Sequence, residues 1–326
     1  MHKMWETYPQ MNYELQEVQK LMKKNIHLKN KEVEQAILEM MSASGKMLRP
    51  AYQLLFANFG VKNSEKKRLA LAAAVEMLHT ATLIHDDIVD KSPTRRGKES
   101  IAHRFGNDVA VYAGDYLFVA CFKLLSNFAG DTRSLQLNAA SMEKILGGEL
   151  GQMNMRYNVN QSVEDYVENI SGKTAELFAL SCFIGVYEAG ATKMFSHKVY
   201  DIGRNIGIAF QIIDDLLDYT QTTGIIGKPV LEDIKQGVYS LPLLYALEER
   251  KEELSIILSK KSEMTDEDIH KVIEIMWKTS AIEKTKKQAK HYTDSALKAI
   301  QKLPNDKGNT REIIFDITNQ LLNRQD

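Results

Sequence analysis

Residues 68–90 read RLALAAAVEMLHTATLIHDDIVD, and this stretch decides the fold. Its apolar residues recur at helical spacing, and from Leu69 to Val75 they cover almost every side. A helix that is apolar all round belongs in a protein interior. The stretch ends on Asp86, Asp87 and Asp90, at i, i+1 and i+4. Beyond it, no proline falls between Pro93 and Pro229. Proline costs about 3 kcal/mol inside a helix, so this interval admits long helices. Apolar helical patterns recur over 110–128, 133–155, 163–189, 195–219 and 240–249. No hairpin signal and no fixed-period repeat stands out. Residues 250–326 are Lys/Glu-rich and amphipathic, as solvated peripheral helices are. Thr265 followed by Asp268 resembles a capping box. The expected fold class is all-α: one helical domain over 1–326, with long helices around a buried central pair.

Composition narrows the function. Lys plus Arg (42) nearly cancels Asp plus Glu (43) in this 326-residue chain. The net charge of -1 excludes bulk attraction to nucleic acid or to an anionic membrane as the main theme. Cys121 and Cys182 sit in apolar surroundings, which argues against a disulfide framework and for a reducing compartment. The opening MHKMWETYPQ lacks the apolar core of a signal peptide. No uninterrupted apolar run reaches the roughly 18 residues of a membrane span, so no transmembrane segment and a cytoplasmic location are expected. The 14 methionines read as core filler. Asn160-Gln161-Ser162 matches a glycosylation acceptor, but without a secretion signal no role is expected for it.

A second acidic cluster repeats the first. FQIIDDLLDYT places Asp214, Asp215 and Asp218 at the same i, i+1, i+4 spacing, again after an apolar run. On a helix, i and i+4 share a face, so each cluster projects carboxylates together from a helix C-terminal end. Like charges repel there, and the helix terminus is itself negative. A bound cation relieves this. Carboxylate oxygens are hard ligands that suit Mg²⁺, which takes one or two of them and fills its shell with water and phosphate oxygens. An isolated acidic run is commonly a solvated surface feature; two identical ones after apolar helices are not. The glycine and glutamate of an EF-hand loop are missing.

Cations suited to phosphate accompany the acids. Arg95 and Arg96 follow the first cluster, Lys46 and Arg49 stand in SGKMLRP, Lys173 and Thr174 in SGKTAELF, and Lys228 in IGKPV. Arginine grips phosphate bidentately and lysine acts as a point charge. SGKT is not a P-loop, because it lacks the upstream glycine and no strand precedes it. Taken singly, each basic residue reads as surface charge; beside two magnesium-type clusters they read as a diphosphate site. His79 lies two turns before Asp86, and Gln211 lies three residues before Asp214. Spacing alone leaves open whether these are site groups or a hydrogen-bonded histidine and a satisfied buried amide.

The ordered strings GKMLRP, DDIVD with RRG, AGDYLF, GGELGQ, GKTAELF and FQIIDDLLDYTQ with GKP resemble the all-trans polyprenyl diphosphate synthases, which have the isoprenoid synthase fold. The similarity spans nearly the whole chain and is firmest over 40–250. It implies that Asp86 and Asp90, with Asp87, hold Mg²⁺ on an allylic diphosphate from one side. Asp214, Asp215 and Asp218 would do so from the other. Arg95, Lys173 and Lys228 would hold the allylic diphosphate, and Lys46, Arg49, His79 and Arg96 isopentenyl diphosphate. Thr174 and Gln211, with the backbone near Lys173, would stabilise an allylic cation by their dipoles. The expected chemistry is ionisation of the allylic diphosphate, attack by the isopentenyl double bond, and proton loss to the released diphosphate. It needs no protein base, in agreement with the lack of a Ser/His/Asp or Cys/His signature.

One departure follows GKPVLEDIKQG. Where many members carry a further lysine and a threonine, this chain has Val238, Tyr239 and Ser240, so one basic contact is missing or is supplied by Lys235. The GVYSLP variant resembles the catalytic subunits of two-component medium-chain synthases. It implies a heterodimer with a small non-catalytic subunit, the homodimer being the alternative.

In this family the growing chain runs beside the helix that ends in the first cluster. Ala81 and Thr82, one turn before the aspartates, are small, with Leu78 and Val75 deeper. From Asp86 back to Leu69 this wall is about 25 Å long. The expected product therefore exceeds farnesyl and geranylgeranyl and is hexaprenyl or heptaprenyl, built on farnesyl diphosphate for a quinone such as menaquinone. The rival for Ala81 is simple close packing on a neighbouring helix. A terpene cyclase is disfavoured by the second Asp-rich motif, and a non-catalytic prenyl-lipid-binding subunit by the intactness of both.

Overall fold

In the computed structural model the described residues are 2–42, 45–62, 64–95, 97–220, 228–305 and 308–324, with only the backbone described for 228–231. The helices are α1 (Pro9–Lys24), α2 (Lys31–Ser42), α3 (Leu48–Ala57), α4 (Glu65–Val89), α5 (Ile101–Phe105), α6 (Asn107–Phe128), α7 (Thr132–Asn154), α8 (Val163–Ile170), α9 (Glu176–Glu188), α10 (Lys193–Thr220), α11 (Lys228–Lys235), α12 (Leu241–Leu258), α13 (Asp266–Trp277), α14 (Ala281–Gln301) and α15 (Thr310–Leu322). The all-α expectation holds. The chain divides into two compact units, one of Met1–Ala139 and Leu180–Val199, the other of Ala140–Ala179 and Tyr200–Asp326. Helices α7, α9 and α10 contribute to both.

In the first unit α4 is the core helix. Ser64 caps it by accepting the Lys67 amide, and Ala70 to Leu78 are buried without a break. Small alanines let neighbours approach on every side, and α4 packs on α1, α3 and α6. Each fully buried Leu or Met here, such as Leu71 and Met77, contributes about 2 kcal/mol through removal from water. Gly114 on α6 shows how close the packing is: a Cβ there would lie 2.3 Å from Nε2 of His85. Cys121 and Cys182 are both free and buried, and burial pushes the Cys121 thiol up to about 12.

The absence of hairpins does not hold. Thr94–Arg95 and Lys98–Glu99 form a two-stranded antiparallel ladder. Its turn uses Gly97 at φ +77, a conformation that glycine adopts without steric cost. Strands of two residues carry no alternation, so pattern reading does not find them. One helix bears on the expectation about membrane spans without overturning it. By length and composition α6 is, among the described residues, apolar enough to cross a bilayer, with 44% of that span buried inside the chain. Asp115 breaks its apolar run, which is why a count of uninterrupted residues misses it.

In the second unit the Lys/Glu-rich tail forms α13, α14 and α15. On α14 the buried residues are Ala281, Ile282, Thr285, Ala289, Thr293, Ala296 and Ile300, one face at helical spacing. The Thr265–Asp268 capping box is present at the start of α13. The apolar pattern over 240–249 ends where α12 kinks, at Arg250. The pattern over 163–189 is interrupted: a π-helical turn, Ser171–Ala175, separates α8 from α9.

Candidate functional site

In the first unit the Asp-rich motif closes α4. Asp86 and Asp87 lie in its last turn and Asp90 is its C-cap, with the Asp90 amide donating to Asp86 O at 2.8 Å. The three carboxylates are not equivalent. Asp87 is 1% exposed and takes the Arg95 guanidinium, whose Nε donates to Oδ1 at 2.7 Å. Burial pushes the Asp87 carboxyl up, against the pull of Arg95. Its other oxygen, Oδ2, is buried with no hydrogen-bond partner among the described residues. Asp86 and Asp90 are half-buried. The ladder that carries Arg95 borders a cavity of about 220 Å³ lined also by Lys98 and Arg104, with Glu39 and Glu99.

The basic turn lies in the same unit. Arg49, in the first turn of α3, places Nη1 3.2 Å from Nε2 of His79, so two residues separated by 30 positions come together as expected. Lys46 is held through its backbone: its carbonyl accepts the Trp5 indole N–H at 2.7 Å. The next residue, Met47, is left-handed at φ 51. Trp5 has no signal in the sequence beyond being a buried aromatic. Arg96 lies outside the described residues. Of the chain-length wall, Ala81, Leu78 and Val75 are buried, and the Thr82 hydroxyl donates to His79 O at 2.8 Å.

In the second unit the π-helical turn carries Lys173 and Thr174. Such turns re-aim side chains and are frequent at functional positions. Gly148 of GGELGQ makes room for it: a Cβ there would lie 2.4 Å from the Lys173 backbone nitrogen. Lys173 Nζ donates to Gln152 Oε1 and pairs with Glu149, each at 2.9 Å. Thr174 Oγ1 donates to Gln211 Oε1 at 2.8 Å, and Gln211 Nε2 donates to Asp215 Oδ1 at 2.8 Å. A continuous hydrogen-bonded chain therefore links the turn to the second acidic cluster, and Gln211 is positioned by both its amide atoms.

Asp214, Asp215 and Asp218 occupy the last two turns of α10. Asp215 Oδ2 also accepts from Tyr166 OH at 2.6 Å. Tyr166 is carried by α8, whose start is set by a Ser162–Asp165 capping box. Ser162 of the glycosylation-like triplet is thus engaged in a helix cap. Burial raises the Asp215 carboxyl to about 6, although Tyr166 and Gln211 pull it down. Asp218, at the exposed rim, is pushed up to about 7 by desolvation first and then by the charges of Asp215 and Asp214. Arg324 pairs with Asp214. Neither Tyr166 nor Arg324 is legible as a site residue from local pattern.

Two further basic groups lie on or beside α11. Lys235 pairs with Asp266 at 2.6 Å, on the neighbouring α13. Lys228 opens α11, and its side chain lies outside the described residues. Among the described residues no three His, Cys, Asp or Glu side chains form a ready-made ion site. The donor chemistry nevertheless suits magnesium, which asks for one or two carboxylates per ion and draws its remaining ligands from water and phosphate. Asp86 with Asp90, and Asp214 with Asp218, supply such pairs at i and i+4.

Comparison with known proteins gives a consistent result. A family model described as polyprenyl synthetase matches residues 30–276. Over 271 residues the chain is 35% identical to heptaprenyl diphosphate synthase component 2 of Geobacillus stearothermophilus, covering 83% of each chain. The solved structure of geranylgeranyl pyrophosphate synthase from Lactobacillus brevis superposes with a TM-score of 0.95 at 39% identity, covering 99% of both chains. Heptaprenyl diphosphate synthase from Staphylococcus aureus superposes with a TM-score of 0.90 at 31% identity, covering 97% of this chain and 99% of the other. The products named for these relatives differ in length.

Proposed function

The chain belongs to the polyprenyl synthetase family, and we propose that it extends farnesyl diphosphate with isopentenyl diphosphate to an all-trans hexaprenyl or heptaprenyl diphosphate for a quinone side chain. The hydrogen-bonded chain Thr174–Gln211–Asp215 carries this reading, because it joins cation-stabilising dipoles to a diphosphate-metal carboxylate.

Asp86 and Asp90, and Asp214, Asp215 and Asp218, would hold magnesium, which would supply charge neutralisation for the departing diphosphate. Arg95, Lys173 and Lys228 hold that diphosphate while its C1–O bond breaks, and Asp87 acts through Arg95 by fixing the guanidinium. Lys46, Arg49, His79 and Arg96 hold the second diphosphate, that of isopentenyl diphosphate. Thr174 Oγ1 and the Gln211 carbonyl turn the negative ends of their dipoles to the developing cation, where preorganised dipoles act strongly because they need no reorientation. The isopentenyl double bond forms the new C–C bond, and the proton lost from its C2 passes to the released diphosphate.

The small side chains of Ala81 and Thr82 support the long product, since neither is bulky enough to stop the chain about one turn before Asp86. The relative named component 2 supports a two-component enzyme. The exposed apolar face of α6, with Tyr112 75% and Val119 65% exposed, is a surface on which a partner chain can dock. We assign to it a small non-catalytic partner subunit. The test is product analysis with farnesyl and isopentenyl diphosphates, with and without a candidate partner. A product no longer than geranylgeranyl diphosphate under every condition refutes the chain-length assignment.

A further inference from the structure

We propose that Arg324, just past the end of α15, is a positioning residue for Asp214. The proposal rests on reading the second acidic cluster as a metal-diphosphate site. Arg324 pairs through Nη2 with Asp214 Oδ1, and its guanidinium lies 4.5 Å from the centre of the Phe210 ring. Phe210 and Asp214 are one turn apart on α10, so a single helix face presents both a ring and a carboxylate to the guanidinium. The Arg324 side chain is 11% exposed, and Nε is buried without a hydrogen-bond partner among the described residues. The helix that delivers it is anchored by the buried Ile314, Ile317, Leu321 and Leu322. Arg324 is thus fixed by stacking, by an ion pair and by a packed helix.

The cluster explains what this fixation accomplishes. Three carboxylates within five residues repel one another and swing apart unless each is held. Asp215 is held by Tyr166 and Gln211. Arg324 performs the same service for Asp214 from a segment 110 residues away. A fixed guanidinium that holds one carboxylate oxygen restricts rotation of the group, and so the direction in which its other oxygen faces. Lysine, a point charge on a flexible stem, fixes it less well.

Groups that orient metal ligands are typically worth 10–100-fold in metal affinity. The test is Mn²⁺ binding to the full chain in the presence of inorganic pyrophosphate, followed by electron paramagnetic resonance, with the Mg²⁺ dependence of turnover measured alongside. Arg324→Gln is expected to weaken Mn²⁺ binding about tenfold and to raise the half-saturating Mg²⁺ by a similar factor, with Arg324→Lys recovering part of the loss. A purely structural role would lower the melting temperature and leave the metal dependence unmoved. Phe210→Leu, which removes the stacking ring and keeps the arginine, is expected to shift Mn²⁺ binding about threefold in the same direction and decides the matter if Arg324→Gln fails to fold. Unchanged or tighter Mn²⁺ binding in the folded variants overturns the role of Arg324 and leaves the metal-diphosphate reading intact. Failure of the unaltered chain to bind Mn²⁺ with pyrophosphate overturns both.

Discussion

Arg95 donates through Nε to Oδ1 of Asp87 at 2.7 Å, and that carboxylate is 1% exposed. Removing one member of a buried ion pair strands the other, which costs about 3–5 kcal/mol, whereas neutralising the buried acid costs less. Arg95→Ala should therefore destabilise the chain by about 3 kcal/mol in urea denaturation, and Asp87→Asn by under half of that. Equal losses would contradict the assignment of Asp87 as the stranded partner. Both variants should also lose activity, since each releases the guanidinium.

The chain from Thr174 through Gln211 to Asp215 gives a graded prediction. Thr174→Val removes one hydrogen bond, worth about 1 kcal/mol, and should lower kcat about fivefold to tenfold. Gln211→Leu breaks two and should lower kcat about a hundredfold. On the proposed assignment these groups serve the cation and not isopentenyl diphosphate, so KM for that substrate should move less than about threefold. A loss confined to KM would contradict the assignment.

Much of this was legible in the sequence, for identifiable reasons. Helix α4 announced itself because Leu69–Val75 is apolar all round, and the tail helices because their apolar residues keep one face. Both acidic clusters were legible because a spacing of i, i+4 on a helix is a geometric statement in itself. Arg49 and His79 were grouped by resemblance, and the fold does bring them together. Asp87 and Arg95 were both singled out, but their pairing was not, because burial of one aspartate among three leaves no mark in local pattern. Tyr166 and Arg324 reach the second cluster from 49 and 110 residues away, and only tertiary packing brings them there. The π-helical turn was hidden because an extra residue in a helical turn hardly disturbs the apolar period.

Stability should depend on pH in a direction set by the second cluster. A carboxyl that keeps its proton to higher pH in the folded chain makes the folded state bind more protons than the unfolded state. Stability then falls as pH rises through the window between the two pKa values. For Asp215 and Asp218 that window opens at the ordinary 3.8 and closes at about 6 and about 7. Glu249 and Asp268, held down at about 2, remain ionised throughout most of it. The chain in chelator should melt at a lower temperature at about pH 7.5 than at about pH 5, and Asp218→Asn should flatten the difference. A melting temperature that rises across this interval would contradict the account.

Ala81 is fully buried on α4, so any larger side chain there takes up space inside the first unit. Ala81→Phe is expected to shorten the product by one or more isoprene units while leaving some turnover, as read by chromatography of the dephosphorylated alcohols. Close packing without a product channel would instead give a destabilised protein with unchanged product length, since overpacking costs about 1–3 kcal/mol.

The central claim is that the carboxylates at the ends of α4 and α10 serve a single magnesium-dependent prenyl transfer. The direct measurement is elongation of farnesyl diphosphate with labelled isopentenyl diphosphate, in the presence of a candidate partner subunit, across a magnesium titration that ends in excess chelator. Elongation should vanish in chelator and fall at least about a thousandfold in both Asp86→Ala and Asp214→Ala. Elongation that persists in chelator, or that survives the loss of either aspartate, would contradict it.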